Sequence, residues 1–176
     1  MTNIRITDNE ATLSFEFDDL VRFHGTKSIC GLTVAFKIME AAWDAIWKDT
    51  PPKRDVLAVA SGFPGPGTRD GFEMVTRAVS RDAYEILVDL EHGPLVAEAA
   101  KGVYFFRLAD NCQTIDLGLK PEVVPEEFVP RRRQIARGEA TKEDAARFRV
   151  LQFEFSDKLR GLSSAQAVNI LDIRRK

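Results

Sequence analysis

The most regular hydrophobic pattern of the chain covers residues 31–48 and has the period of an α-helix. Two rows of apolar residues run along this segment at helical spacing. One row contains Leu32, Ala35, Phe36, Met39, Ala42, Trp43 and Ile46, and the other contains Val34, Ile38, Ala41 and Ala45. Ser28 is a candidate N-cap, and "DTPPK" ends the segment. We expect this helix either at the centre of the core or at an interface between subunits.

Shorter hydrophobic runs on both sides of this helix predict strands. Leu13, Phe15 and Phe17 alternate with polar residues, which indicates a strand that could lead into a short helix at 18–22. The apolar run 55–62 predicts a buried strand. The segments that follow are predicted as a Gly/Pro-rich loop at 63–71, a helix at 70–81, strands at 84–90 and 102–109, and a turn at 92–94.

The last third of the chain is charged and predicts a helical hairpin. Its first helix begins at Pro125 and ends at Gly138. Its second covers about 142–160, preceded by Thr141 and Asp144 at the spacing of a capping box. We therefore predict an α+β protein. Its core domain at 1–120 has a mixed sheet packed against the long helix, and a C-terminal helical hairpin and tail follow at 121–176.

Composition and charge narrow the range of partners. The chain has 25 Lys and Arg against 27 Asp and Glu, and the resulting net charge of −2 predicts no nucleic-acid surface. No run approaches ~18 consecutive apolar residues, and the polar N-terminus does not resemble a signal peptide. Two cysteines are too few for a disulfide scaffold. These features predict a cytoplasmic protein without a membrane span. The basic run 131–133 is interpreted as a solvated helix face or as a docking surface for an acidic partner.

The first candidate site lies at the start of the long helix, where His24 and Cys30 flank a turn. The positive end of a helix would stabilise a thiolate, and both side chains are good ligands for zinc or iron. Further ligands would have to come from Asp70, His92, Cys112 or a partner chain. Three interpretations stay open: a structural turn, a metal site, and a metal-free site. In the third, Cys30 could be a nucleophile with His24 as its base.

The loop "SGFPGPGTRDG" is the second candidate site, because a loop between a buried strand and a helix often borders a pocket. It lacks the Lys-Ser/Thr pair of a P-loop and the spacing of a dinucleotide fingerprint. We expect Thr68 and Arg69 to contact a ligand. Asp70 is either the N-cap of the next helix or a group that points into the site. Cys112 is predicted in a loop after a strand and is a further candidate lining residue.

Three segments in order resemble the FmdE-like family, which is named after a component of formylmethanofuran dehydrogenase. "FHGTKSICGLTVAFKIMEAA" resembles its His-Gly-His-x-Cys-Pro-Gly turn opening a long helix. "GPGTRDGFEMVTRAV" resembles a segment with a Cys and then an Asp at the head of a second helix. "EEFVPRRRQIARGEATKEDAARFRVLQFEFSDKL" resembles its Arg-rich hairpin. The resemblance covers roughly residues 15–162. It implies an α+β fold, a homodimer and a link to one-carbon chemistry in anaerobic metabolism.

The chain departs from that family's pattern at the expected ligands. Cys30 stands beside the family's Cys position, Gly67 replaces its second Cys, and Asp70 matches its Asp. Thr26 and Lys27 lie near the missing second His.

The leading hypothesis is a homodimer whose pocket, between the 24–31 turn and the 62–70 loop, holds zinc, iron or a small anionic ligand. His24, Cys30 and Asp70 are its candidate metal ligands, and Thr26, Lys27, Thr68, Arg69 and Cys112 its candidate ligand-binding residues. The alternative is a non-catalytic scaffold protein that docks a partner through its C-terminal helices.

Overall fold

The computed structural model describes residues 3–87, 90–91 and 93–176 and has the predicted α+β architecture. A five-stranded sheet has the order β4-β3-β5-β6-β7, and a separate hairpin pairs β1 with β2. The strands are β1 (Ile4–Asp8), β2 (Ala11–Phe15), β3 (Ala58–Ser61), β4 (Tyr84–Ile86), β5 (Phe105–Ala109), β6 (Gln113–Leu119) and β7 (Val168–Arg175). The large sheet is mixed, because β3 and β4 are parallel while the other neighbours are antiparallel.

The long central helix is confirmed as α2, which covers Ile29–Ile46. It packs against β6, against the helix that precedes it, against the helix that starts at Pro66, and against the C-terminal hairpin. The other helices are α1 (Phe17–His24), α3 (Pro66–Thr76), α4 (Phe128–Ala136), α5 (Lys142–Gly161) and the short α6 (Ser164–Ala167). Nearly every residue of α2 from Ile29 to Trp43 is buried within the single chain. Its two apolar rows therefore reflect a central position in the core and do not require a partner subunit.

Small residues bring α2 and α3 into close contact at their N-terminal ends. A Cβ atom placed on Gly67 would lie 2.4 Å from the carbonyl oxygen of Ser28, and one placed on Gly31 would lie 3.0 Å from the backbone nitrogen of Thr68. One turn further along, a Cβ atom on Gly71 would lie 2.8 Å from that of Ala35. The backbones approach this closely because these side chains are absent or small.

A line of polar residues on α2 docks the C-terminal segments. Thr33, Lys37, Glu40 and Asp44 recur at helical spacing along this helix. The Thr33 hydroxyl lies 2.6 Å from that of Ser156 on α5. The Lys37 ammonium donates to the carbonyl of Leu162, the C-cap residue of α5, and the Ser164 hydroxyl donates to Asp44. These four residues are called the polar stripe of α2 below. The stripe fixes where the hairpin sits on the core.

The predicted elements differ from the structure mainly at their boundaries. The third helix begins at Pro66 rather than at residue 70, because proline is well accommodated in a first helical turn. Asp70 is therefore inside α3 and is not its N-cap, which is Gly65. The first helix of the hairpin begins at Phe128, three residues after Pro125. The Thr141–Asp144 capping box is confirmed, with reciprocal hydrogen bonds of 3.0 and 3.1 Å.

The segment expected to be a C-terminal tail forms β7, which pairs with β6 at the edge of the large sheet. The sequence analysis also missed β1 and β6. The predicted turn at 92–94 lies partly outside the described residues. No helix in the described part of the chain is long and apolar enough to cross a membrane.

Candidate functional site

A pocket of about 500 Å³ opens where the helical hairpin meets the core. One side is formed by the start of α2, the loop 63–65 with the start of α3, and the loop 99–104. The other side is formed by α4 and α5 of the hairpin. The pocket therefore depends on how the hairpin docks, and the polar stripe of α2 sets that position. Its volume lies within the range typical of small-molecule sites.

Two helix N-termini meet at this pocket. Ser28 and Gly31 from the start of α2 line it together with Gly67 and Thr68 from the start of α3. Neither helix has a side-chain hydrogen bond from its N-cap residue, Ser28 or Gly65. The first N–H groups of a helix lack partners within the helix and carry its partial positive charge. Both helix starts therefore favour a negative group in the same space.

Four basic side chains line the same pocket: Lys101, Arg132, Arg133 and Arg137. Arg133 donates to the carbonyls of Ala99 and Ala100 and pairs with Glu98, so it holds the 98–101 segment in place. Arg132 has no carboxylate within 4 Å in the described part of the chain. Among those residues, no Asp or Glu lines the pocket. A cavity with several cations and no lining carboxylate is suited to an anion.

Aromatic rings form the apolar part of the pocket wall. Phe63 and Tyr104 lie on the core side, edge to face, with ring centroids 4.7 Å apart. Phe128 and Phe148 lie on the hairpin side, with centroids 5.1 Å apart. The pocket thus combines a cationic part with two aromatic surfaces contributed by different elements.

The Cys30 side chain is buried in the pocket wall. Burial raises the pKa of its thiol to about 11, although a hydrogen bond from Gln152, backbone N–H groups and the charge of Arg132 act in the opposite direction. Burial also raises the pKa of Tyr104 well above its usual value. The start of α2 was expected from the sequence to stabilise the thiolate of Cys30. The effect of burial, which disfavours the charged thiolate, is larger. Cys30 and Tyr104 are therefore neutral proton-bearing groups at pH 7 and add no negative charge to the pocket.

We expect iodoacetamide to alkylate Cys30 at least about 100-fold more slowly than Cys112 near pH 7.5, because only the thiolate reacts. Cys112 is exposed, whereas Cys30 is buried. Mass spectrometry of the Cys112→Ser and Cys30→Ser variants would follow each thiol separately. The rate at Cys30 should rise about tenfold per pH unit between pH 7 and 9.5. A rate equal to that of Cys112, or a plateau below pH 9, would contradict this account and support a reactive Cys30.

His24 and Asp70 form a pair that does not line this pocket. Nδ1 of His24 lies 2.7 Å from Oδ2 of Asp70, so the ring donates to the carboxylate. The carboxylate also accepts from Arg69 at 3.1 Å. Nε2 of His24 is buried and has no hydrogen-bond partner in the described part of the chain. The Asp70 contact therefore fixes the orientation of the ring.

The three expected metal ligands do not converge on one point. His24 and Asp70 pair with each other, whereas Cys30 lines the pocket near Gln152. Within the described residues, no three His, Cys, Asp or Glu side chains form a group that could hold a metal ion. His92, which was considered as a further ligand, lies outside those residues. Zinc or iron at this position stays a prediction.

The other predicted ligand-binding residues do not cluster. One lies at the contact between α2 and α3, and the others lie on the surface. Thr68 lines the pocket, and its hydroxyl donates to the carbonyl of Gly31 at 3.3 Å. Arg69 is exposed and directed to Asp70. Thr26 and Lys27 are exposed in the turn before α2 and do not line the pocket. Cys112 lies at the turn between β5 and β6, also outside the pocket lining.

The arginine run 131–133 does not form one basic surface. Arg131 pairs with Glu127 and Asp144, and Arg133 with Glu98, while Arg132 lines the pocket. The sequence analysis assigned this run to a solvated face or a docking surface and missed its contribution to a pocket. The signal that could have shown it was the proximity of Arg132 and Arg133 on α4 to Arg137 just after that helix.

Comparisons with known proteins leave the family prediction untested. No family model matches the chain, and no curated protein is significantly similar to it. The resemblance to the FmdE-like family therefore stays a prediction based on the three segments. Gly67 occupies the position of the second Cys in that family's pattern. A Cys at this position would bring its Cβ within 2.4 Å of the Ser28 carbonyl oxygen, which is closer than this helix contact allows.

Proposed function

We propose that this protein binds a small anionic molecule in the pocket between its core and its helical hairpin. The observation that carries the proposal is the convergence of two helix N-termini and four basic side chains on one cavity that no described carboxylate lines. A phosphate or carboxylate group would accept hydrogen bonds from the backbone at the starts of α2 and α3. This is the small-anion branch of the hypothesis drawn from the sequence.

The basic residues have different roles in this proposal. Arg133 positions the 98–101 segment, because its guanidinium already donates to two carbonyls of that segment. Arg132 contacts the anion, since it has no competing carboxylate in the described part of the chain and its charge acts on Cys30 and Tyr104 inside the pocket. Lys101 and Arg137 border the same space and attract the anion. A hydrogen bond to a charged group contributes about 1.5–3 kcal/mol.

The proposal is tested by titrating inorganic phosphate into the protein by calorimetry at low ionic strength. We expect Arg132→Ala to weaken phosphate binding about 10–100-fold, the range that corresponds to one charged hydrogen bond. Arg175→Ala, on the edge strand β7, is the matched control because it removes the same charge outside the pocket. It should leave the affinity nearly unchanged. Equal weakening by both variants would indicate a general charge effect, and no binding to the wild type would refute the proposal.

The expectations that come from the family resemblance remain proposals. A link to one-carbon chemistry in anaerobic metabolism, a homodimer and a cytoplasmic location rest on the sequence and its family resemblance. The scaffold alternative has less support, since the arginines intended for docking face different neighbours. Anion binding that depends on Arg132 separates the two functions, because a docking surface would not need the pocket.

A further inference from the structure

The geometry points to a planar aromatic or heteroaromatic molecule, bearing one phosphate or carboxylate group, as the ligand of this pocket. This inference rests on the proposed function and extends it from the charge of the ligand to the chemistry of its body. The anionic group would lie at the two helix starts beside Arg132. The ring would lie between the aromatic pair of the core and that of the hairpin.

The volume of the pocket exceeds what an inorganic anion needs. A five-atom phosphate fills roughly 100 Å³, on the scale of about 30 Å³ for one water. The cavity of about 500 Å³ therefore leaves most of its space for a second part of the ligand. That remaining space is bordered by four aromatic side chains: Phe63, Tyr104, Phe128 and Phe148. An apolar part of the ligand would fill this space.

The aromatic walls are rigid and come from both sides. Behind the core pair lies Phe106, fully buried, whose ring centroid is 6.0 Å from that of Phe63. Behind the hairpin pair lies Phe155, also fully buried, whose centroid is 5.0 Å from that of Phe128. Rings held by such contacts do not have to be ordered when a ligand binds. They favour another ring over a saturated body of the same size, because aromatic pairs attract through their quadrupoles.

Cys30 and Tyr104 are compatible with an acidic ligand. Both are neutral at pH 7, so they place a thiol and a phenol, rather than negative charges, near the ligand. Gln152 on α5 approaches the Cys30 sulfur at 4.0 Å and donates to the carbonyl of Lys27 at 3.2 Å. It thus connects the hairpin to the turn before α2. Heteroatoms of a ring would find polar groups here in addition to the aromatic surfaces.

The test compares phenyl phosphate, cyclohexyl phosphate and inorganic phosphate by calorimetry, with benzoate and cyclohexanecarboxylate as the carboxylate pair. We expect phenyl phosphate to bind at least about tenfold more tightly than inorganic phosphate, because the ring leaves water for an apolar wall. It should bind about 3–10-fold more tightly than cyclohexyl phosphate. The carboxylate pair shows which anionic group the site prefers.

Phe63→Leu is the decisive variant, since Phe63 is half-buried and its loss should not unfold the chain. It removes one of the four bordering rings, so it should lower the phenyl-to-cyclohexyl affinity ratio and leave the inorganic phosphate affinity unchanged. Phe23→Leu, at a half-exposed position on α1, is the control and should alter neither value. If phosphate binds through Arg132 but phenyl phosphate binds no better than phosphate or cyclohexyl phosphate, the aromatic inference fails alone. If none of the anions binds, the proposed function fails with it.

Discussion

Replacing Lys37 by Met is expected to lower the free energy of unfolding by about 3–5 kcal/mol. Lys37 has only 2% of its side chain exposed, and its ammonium lies 2.8 Å from the Glu40 carboxylate, itself almost fully buried. The same ammonium donates at 2.7 Å to the carbonyl of Leu162, the C-cap residue of α5. The variant would remove the cation beside a buried carboxylate and the donor to the carbonyl of Leu162. Chemical denaturation followed by circular dichroism measures the loss.

Two further variants test whether the ion pair is the cause. Lys37→Met combined with Glu40→Met should recover part of the lost stability, because a buried charge that has lost its ion pair costs more than a well-packed apolar pair. Lys142→Met, at the exposed start of α5, should change stability by less than about 0.5 kcal/mol. A Lys37→Met protein as stable as the wild type would show that α5 docks on α2 without this contact.

Gly67→Ala is expected to disrupt both the packing of α2 against α3 and the binding of anions. The new Cβ would lie 2.4 Å from the Ser28 carbonyl oxygen, which belongs to the backbone and cannot rotate away. The two helix starts must therefore separate, at a cost of about 1–3 kcal/mol for an overpacked contact. Because the same helix starts line the pocket, we expect at least a tenfold loss in phosphate affinity.

The control for this variant is Gly161→Ala at the end of α5, where an added Cβ meets no atom within 4 Å. Alanine has the higher helix propensity, so this change should be neutral or slightly stabilising. Thermal unfolding and phosphate calorimetry are measured on both variants. A Gly67→Ala protein with wild-type stability and affinity would contradict the close helix contact on which the pocket depends.

The sequence predicted elements more reliably than their packing, for physical reasons that particular residues illustrate. The periodicity of α2 and the Thr141–Asp144 capping box are local patterns, and both were confirmed. Strand β7 is mostly exposed, so tertiary pairing with β6 rather than its own hydrophobicity makes it a strand. The polar stripe of α2 was overlooked, because its partners lie more than a hundred residues away in the chain.

The site was predicted in part, for the same reason. The sequence placed the starts of α2 and α3 at one pocket, and the structure has both there. The sequence could not show that Cys30 and His24, six residues apart, lie in different environments. The turn between them places His24 beside Asp70 and Cys30 near Gln152. Nor could the sequence show that Arg132 and Arg137 complete the pocket, since their position depends on the docking of the hairpin.

The central claim is that the two helix starts and α4 together hold an anion. Amide chemical shifts of ¹⁵N-labelled protein during a phosphate titration test this claim most directly. We expect the largest shifts at residues 29–31, 67–68 and 132–137, saturating with one apparent affinity, and their loss in Arg132→Ala. Shifts confined to other surfaces, or no saturable shifts at these residues, would contradict the account.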